Sequence, residues 1–252
     1  MMKNFFYFLV LGLITATAFI TINSCHKEDE NNPPITGTVT DVEGNIYKTV
    51  VIGSQVWMAE NLRATRFRNG DSIPNVTDGG QWINLSSGAF CEYDNNPSLG
   101  LIYGKLYNWY AVQDDRNLAP QGWHVASDAD WSVLGKYIGS NEFNSGLKIK
   151  ETGYRHWVSS SISRPATNET GFTALPGGIR LDNSGVPQKG AFSNIGLFAY
   201  WWTSTEVTSE KAWVGRLDFA GGFHSGGDSN SCESNLYCYD KNYGLSVRCV
   251  KD

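Results

Sequence analysis

The segment SDADWSVLGKYIG, residues 127–139, carries the strongest local structural signal in the chain. The Ser127 side chain can accept a hydrogen bond from the backbone N–H of Asp130. The Asp130 carboxylate can reach back, as in a capping box in which Asp replaces the usual Glu. Apolar side chains follow at helical spacing, at Trp131, Leu134, Tyr137 and Ile138. Gly139 suits the left-handed residue at which helices commonly end. The segment therefore predicts a helix.

Strand signals lie on both sides of this helix. On the N-terminal side, turn residues favour consecutive hairpins built from residues 38–40, 46–52 and 55–58. Apolar residues at helical spacing predict a further helix over residues 101–112. On the C-terminal side, strand-like composition recurs at residues 172–175, 199–205, 212–219 and 243–250. The order of hairpins, two helices and further strands indicates an α+β fold.

The composition supports a loop-rich domain with an aromatic core. The 252 residues include 27 Gly, nine Trp, 12 Tyr and 12 Phe, and 18% of them are charged, below the usual quarter. The formal net charge is −5, and the sequence has no cluster or stripe of Lys and Arg. Both observations argue against a nucleic-acid partner. With no internal repeat or Pro-rich linker after residue 36, residues 37–252 are expected to form one domain.

The N-terminus indicates export. An apolar run over residues 5–22 follows Lys3 and ends just before Cys25. This junction resembles the signal of bacterial lipoproteins, which implies cleavage of residues 1–24, lipid attachment at Cys25 and residence in the outer membrane. An uncleaved transmembrane helix is the alternative, since the run is near the lower limit for a span. The acidic residues that follow resemble a surface-export signal of Bacteroidetes lipoproteins, and residues 25–36 would also serve as a flexible tether.

Six phrases along the chain resemble one family. They are VWMAENLR (56–63), YGKLYNWYAV (103–112), APQGWHV (119–125), TGFTALPGG (170–178), YWWTSTE (200–206) and GLSVRCV (244–250). In this order they resemble the Fibrobacter succinogenes major paralogous domain. The resemblance implies a C-type-lectin-like fold, close to the formylglycine-generating enzymes, with two helices, small twisted, mostly antiparallel sheets and long loops. It implies no particular activity.

Four cysteines besides Cys25 lie in the predicted domain. An even number in an exported chain favours disulfides, and four cysteines allow three connectivities. The preferred hypothesis pairs Cys232 with Cys238 as a local staple and Cys91 with Cys249 as a long-range bridge. Formylglycine-generating enzymes hold copper with a cysteine pair, so the resemblance leaves copper binding by Cys232 and Cys238 as an alternative.

Aromatic side chains supply the remaining binding candidates. Trp82 and Trp157 stand in polar, loop-like surroundings, where an exposed indole could stack on a sugar ring. The other tryptophans in the family phrases or on helix faces are expected in the core, at positions 57, 109, 123, 131 and 201. The four histidines lack metal-ligand spacing, and the oxygen-rich residues 94–96 and 227–230 are better interpreted as turns than as calcium sites.

Three functions remain open at this point. The leading hypothesis is a non-catalytic, lipid-anchored binding or adhesion module at the cell surface, with a glycan or another surface protein as ligand and no cofactor. The alternatives are a copper-dependent oxidase related to the formylglycine-generating enzymes and a structural surface subunit.

Overall fold

The computed structural model describes residues 35–140, 144–182, 189–225, 232 and 237–252. Strands β1 to β6 are Ile35–Thr40, Ile46–Ile52, Gln55–Met58, Phe90–Cys91, Leu106–Tyr107 and Trp123–Val125. Strands β7 to β13 are Gly177–Arg180, Phe192–Ile195, Phe198–Glu206, Lys211–Asp218, Phe223–His224, Cys238–Asp240 and Cys249–Lys251. Helices α1 to α4 are Gly79–Trp82, Pro97–Tyr103, Trp109–Val112 and Asp128–Ile138. Short 3-10 turns cover Tyr93–Asn95 and Ser145–Lys148.

The strands form several small antiparallel sheets, so the α+β class is confirmed. One sheet has the order β1-β2-β3-β13-β6. A second pairs β10 with β9 along one edge and with β11 and β12 along the other. Two-stranded ladders join β4 to β5 and β7 to β8. Residues 244–246 form single bridges to β5, β7 and β9, so one stretch of chain connects three of these sheets.

Helix α4 is confirmed together with both of its ends. Ser127 accepts from the Asp130 N–H, the Asp130 side chain accepts from the Ser127 N–H, and Gly139 is left-handed with φ of 76°. Its buried face includes Trp131, whose ring lies 4.9 Å from that of Trp57 and 5.1 Å from that of Trp201. Tyr137 is exposed, although its spacing suggested that it shared this face.

The prediction of one continuous helix over residues 101–112 is wrong, because the segment is not helical in its middle. Helix α2 ends at Tyr103, because Gly104 takes a non-helical φ of 84°. A side chain at position 104 would place its Cβ 2.6 Å from the Asn61 Cβ, so the position requires glycine. Leu106 and Tyr107 then form β5, and Asn108 caps the short α3 by accepting from the Ala111 N–H. The described ranges thus hold four α-helices instead of two, and only α4 is longer than seven residues.

The remaining strand predictions are confirmed in part. Strands β2 and β3 have the expected bounds, and β1, β9 and β10 differ from expectation by a few residues at their ends. Residues 172–175 make only a single bridge, between Lys150 and Ala174, and the regular strand there begins later, at Gly177. The five tryptophans expected in the core are buried. Within the described residues, no helix is long and apolar enough to cross a membrane.

Candidate ligand-binding surface

The structure contradicts the exposure expected of Trp82 and Trp157. Trp82 is 0% exposed, its indole N–H donates to the Asn242 carbonyl at 2.6 Å, and the Arg180 guanidinium covers its ring at 4.5 Å. Trp157 is 2% exposed, donates to the Ala174 carbonyl at 3.0 Å and lies 4.5 Å from the Lys150 ammonium. Because each ring is buried against a cation, neither can stack on a sugar, and both belong to the core.

The cysteines divide into one bonded pair and two thiols. Cys232 and Cys238 form the expected disulfide, with Cα atoms 5.8 Å apart. The predicted bridge between Cys91 and Cys249 is wrong, since both are buried free thiols. They lie in different hydrophobic clusters, Cys91 beside Trp82 and Cys249 in the larger core. Burial raises the pKa of the Cys91 thiol to about 12 and also raises that of Cys249.

Some predicted features lie outside the described residues. The apolar run and Cys25 are among them, as are most of the tether and the oxygen-rich residues 227–230. Their assignments stay predictions.

The family phrases meet at a buried node formed by Asn61 and Arg248. The Asn61 Oδ1 accepts from Arg248 Nε at 2.7 Å and from Trp201 Nε1 at 2.9 Å. Arg248 also donates to the carbonyls of Met58, Phe172 and Thr173, at 2.8 to 3.1 Å. Burial lowers the pKa of this guanidinium to about 9. Since its donors are bonded to interior acceptors of the chain, the node is a structural brace between distant segments.

A second polar cluster joins the chain end to helix α4. The Asp130 carboxylate accepts from Ser127 Oγ at 2.5 Å and contacts His124 Nε2 at 3.1 Å. The other ring nitrogen of His124 lies 2.7 Å from an Asp252 oxygen. Hydrogen bonds to Asp130 and Asp252 raise the pKa of His124 to about 9, so the imidazole is protonated at neutral pH. Ser127 faces a carboxylate rather than the imidazole, so the cluster lacks the order of a nucleophilic triad.

Three adjacent depressions form a surface that we call the Arg116 trough. The first, of about 230 Å³, lies between residues 40–42, Arg66, Arg68 and residues 118–121. The second, of about 420 Å³, lies between residues 68–69 and 115–117. The third, of about 490 Å³, lies between residues 86–88, 110 and 113–116. The first two share Arg68, and the second and third share Asp115 and Arg116, so the depressions adjoin one another.

The walls of the Arg116 trough are held in place by the fold. Arg116 donates to both Asp114 oxygens, at 2.8 and 2.9 Å, and its guanidinium lies 4.1 Å from the Phe67 ring. These bonds lower the pKa of Asp114. Arg68 donates to the carbonyls of Ala119 and Pro120, at 2.8 and 2.9 Å. Arg68, Asp114 and Arg116 are therefore held in place as polar lining residues of the trough.

A sequence model of the Fibrobacter succinogenes major domain matches residues 50–251. The chain belongs to this family. No curated protein and no solved structure matches it. The family resemblance carried by the six phrases is thus confirmed, and the match begins inside β2, thirteen residues after the expected domain start at Gly37.

The Arg116 trough of this Fibrobacter succinogenes major domain could not be identified from sequence motifs. Most of its residues come from separate loops, with the turn-forming residues Asn69, Ser86, Ser87 and Gly88 among them. That composition predicts loops, and the residues 66–100 carry it throughout. Which of these loops share a surface depends on the packing of the strands between them.

Proposed function

We propose that the protein is a lipid-anchored, cell-surface binding module that holds an extended glycan along the Arg116 trough. The observation that carries this proposal is the adjacency of three depressions that share lining residues. Sugar hydroxyls both donate and accept, and planar Arg, Asn, Asp and Gln side chains can meet neighbouring hydroxyls with two hydrogen bonds. Several shallow subsites in a row suit a repeating chain better than a compact molecule.

A glycan fits this surface better than a protein ligand. Stable protein interfaces bury about 800 Å² on each partner around an apolar, aromatic centre. Among the described residues that line the trough, Tyr110 is the one aromatic side chain, and the apolar Val42, Leu118, Ala119 and Pro120 line only the first depression. Its walls are fixed by ion pairs and backbone carbonyls, which reduces the entropy lost when a ligand binds.

The anchor and the fold family complete the proposal. The apolar run that ends before Cys25 supports lipid attachment and outer-membrane residence. Small antiparallel sheets, one longer helix and extended loops support a C-type-lectin-like fold. A copper-dependent oxidase would need thiolates at Cys232 and Cys238, whose sulfurs are bonded to each other, so no observation favours that alternative.

Glycan arrays followed by calorimetry on the full-length protein test the binding proposal. The double variant Gln113→Ala/Asp115→Ala removes two exposed lining side chains. Losing two hydrogen bonds of about 1 kcal/mol each should weaken binding about 30-fold. The double variant Gln81→Ala/Glu169→Ala, also exposed and with the same charge change, should bind like the wild type. Failure of the protein to retain any glycan, or equal binding by both double variants, would refute the proposal.

The anchor has its own test. Cells supplied with labelled palmitate should label the wild-type protein but not the Cys25→Ser variant, and external protease on intact cells should degrade the wild type. Labelling that persists in Cys25→Ser would contradict lipid attachment at this residue. Resistance to the external protease would contradict surface display.

A further inference from the structure

Arg216 lies at the centre of a row of side chains that crosses the second sheet. On β10 it pairs in register with Tyr200 on β9 and with His224 on β11. Directly opposite residues in antiparallel strands point to the same face, so these three side chains share one surface of the sheet. The other face packs against α4, where Trp131 contacts Trp201.

Aromatic rings surround the Arg216 guanidinium. It lies 4.6 Å from the Phe198 ring, and Phe198 stacks on Tyr200 at 5.6 Å. Tyr200 meets Tyr239 edge to face at 6.0 Å, and the Asn194 amide donates to the Tyr200 hydroxyl at 2.9 Å. We call Arg216, Phe198, Tyr200, Tyr239 and Asn194 the Arg216 cluster. Arg216, Phe198, Tyr239 and Asn194 are half-buried, so the cluster reaches the surface.

Within the part of the chain that the structure describes, the buried Nε of Arg216 has no hydrogen-bond partner. Arg180 and Arg248 are also buried, yet each donates to at least three oxygens of the chain. An unpaired donor at a buried position costs about 1–3 kcal/mol, and more on a charged group. With respect to the described residues, Arg216 therefore offers a charged, planar group with an unused Nε donor.

The carboxylates of the neighbouring strands have other partners. Asp218 accepts from the backbone N–H groups of the turn that follows β10. Asp240 pairs with Lys211 at 3.0 Å, and Glu206 pairs with Lys241. These described residues leave the positive charge of Arg216 without a compensating anion, as expected of a site for an external one.

The two tyrosines keep their protons beside this cation. Burial is the largest influence on both and raises the pKa of Tyr200 and of Tyr239, while the nearby Arg216 acts in the opposite direction. Both phenols thus stay hydroxyl groups at neutral pH. The half-buried Tyr239 can donate to and accept from a ligand, whereas Tyr200 is buried and supports its neighbours.

We propose that the Arg216 cluster binds the carboxylate of an acidic sugar. A guanidinium fork matches a carboxylate with two parallel N–H to O bonds. The Tyr239 hydroxyl and the Asn194 amide are placed to meet ring hydroxyls, and the half-buried Phe198 and Tyr239 rings can contact the apolar face of a sugar. The cluster shares no residue with the Arg116 trough, so the inference does not depend on the function proposed for that surface.

Calorimetry of the full-length protein with three probes of equal length tests the inference. The probes are oligogalacturonate, a sulfated galactan oligomer and a neutral galactan oligomer. Oligogalacturonate should bind tightest, and its affinity should fall as salt rises. Arg216→Gln should weaken this binding at least about tenfold, and Arg216→Lys, which keeps the charge but not the fork, should also weaken it. Arg155→Gln, an exposed change of the same charge, should leave it unchanged.

Several results would overturn the inference. Equal affinity for neutral and acidic oligomers would remove the role of the anion, and binding of the sulfated oligomer alone would remove the carboxylate. Oligogalacturonate affinity that is unchanged in Arg216→Gln would place its site elsewhere. If Arg216→Gln fails to fold, as judged by circular dichroism, the wild type and Arg216→Lys provide the test. Wild-type affinity for oligogalacturonate that does not fall with salt, or unchanged affinity in Arg216→Lys, would then overturn the inference. Trough variants should not affect this binding, which separates the test from that of the proposed function.

Discussion

Replacing Asn61 by Leu removes the acceptor that joins Arg248 to Trp201. Asn61 is buried, and its Oδ1 receives both donors, while its Nδ2 donates to the Tyr103 carbonyl at 2.7 Å. Leu has a similar volume, so little cavity forms and the cost comes from the polar groups left unpaired. The Trp201 indole N–H and the Tyr103 carbonyl are neutral and account for about 1 kcal/mol each, and the charged Arg248 donor accounts for about 2–3 kcal/mol. Together they lower the free energy of unfolding by about 4–5 kcal/mol.

This loss is large relative to the total stability of a domain, about 5–15 kcal/mol. It should lower the midpoint of thermal unfolding by about 10–20 °C, at about 2–4 °C per kcal/mol for a domain of this size. Denaturant unfolding of the full-length protein, followed by tryptophan fluorescence, measures the free-energy change directly. Asn61→Asp keeps an acceptor for Arg248 and Trp201 and should cost less than Asn61→Leu.

Asn84→Leu is the matched control, because Asn84 is exposed and donates once, to the Gly80 carbonyl within helix α1. A surface change of this kind should cost no more than about 0.5 kcal/mol. If Asn61→Leu costs less than about 1 kcal/mol, or no more than Asn84→Leu, the Arg248 guanidinium does not depend on Asn61. The structural role assigned to the family phrases would then be wrong.

Three further predictions concern charge, backbone and thiols. Since the pKa of His124 is raised from 6.5 to about 9, its contribution to stability should be complete below about pH 6 and lost as the pH rises through about 9. The difference in unfolding midpoint between wild type and His124→Gln should therefore shrink to nothing by about pH 10, and a difference constant to that pH would contradict the charged clamp. Gly104→Ala should lower the free energy of unfolding by about 3 kcal/mol or more, because the residue has a positive φ and its new Cβ would lie 2.6 Å from the nearest atom. Gly70→Ala, which also has a positive φ but open space around it, should lower it by about 1 kcal/mol. Equal losses for the two variants in denaturant unfolding would argue against the contact at Gly104. Iodoacetamide should modify Cys91 and Cys249 only in unfolded protein, and peptide mapping that finds either in a disulfide would refute their assignment as thiols.

Helix α4 shows what could be predicted from local interactions. Its cap joins Ser127 to Asp130, three residues away, and its end depends on the backbone freedom of Gly139. The helix expected over residues 101–112 had comparable periodicity, but Gly104 meets Asn61, which is distant in sequence. The periodicity of a short segment contains no information on such a neighbour, and the chain folds there as α2, β5 and α3.

The candidate binding surfaces show the same limit. Polar neighbours in sequence made Trp82 and Trp157 look exposed, but Trp82 is covered by Arg180, almost a hundred residues later. The Arg216 cluster combines three strands and β8, and a lone Arg in a strand-like stretch carries no signal of it. The aromatic richness of the chain predicted a core of large flat side chains, and most of the tryptophans are in it.

By itself, the sequence determined the α+β class, the hairpins, the capped helix α4 and the family. Each of these depends on residues close together in the chain or on phrases that can be recognised directly. Only the tertiary structure decided which indoles are buried, that Cys91 and Cys249 stay apart, and which loops share the Arg116 trough. The physical reason is that burial and pairing depend on contacts between distant segments, such as the three sheets joined through residues 244–246.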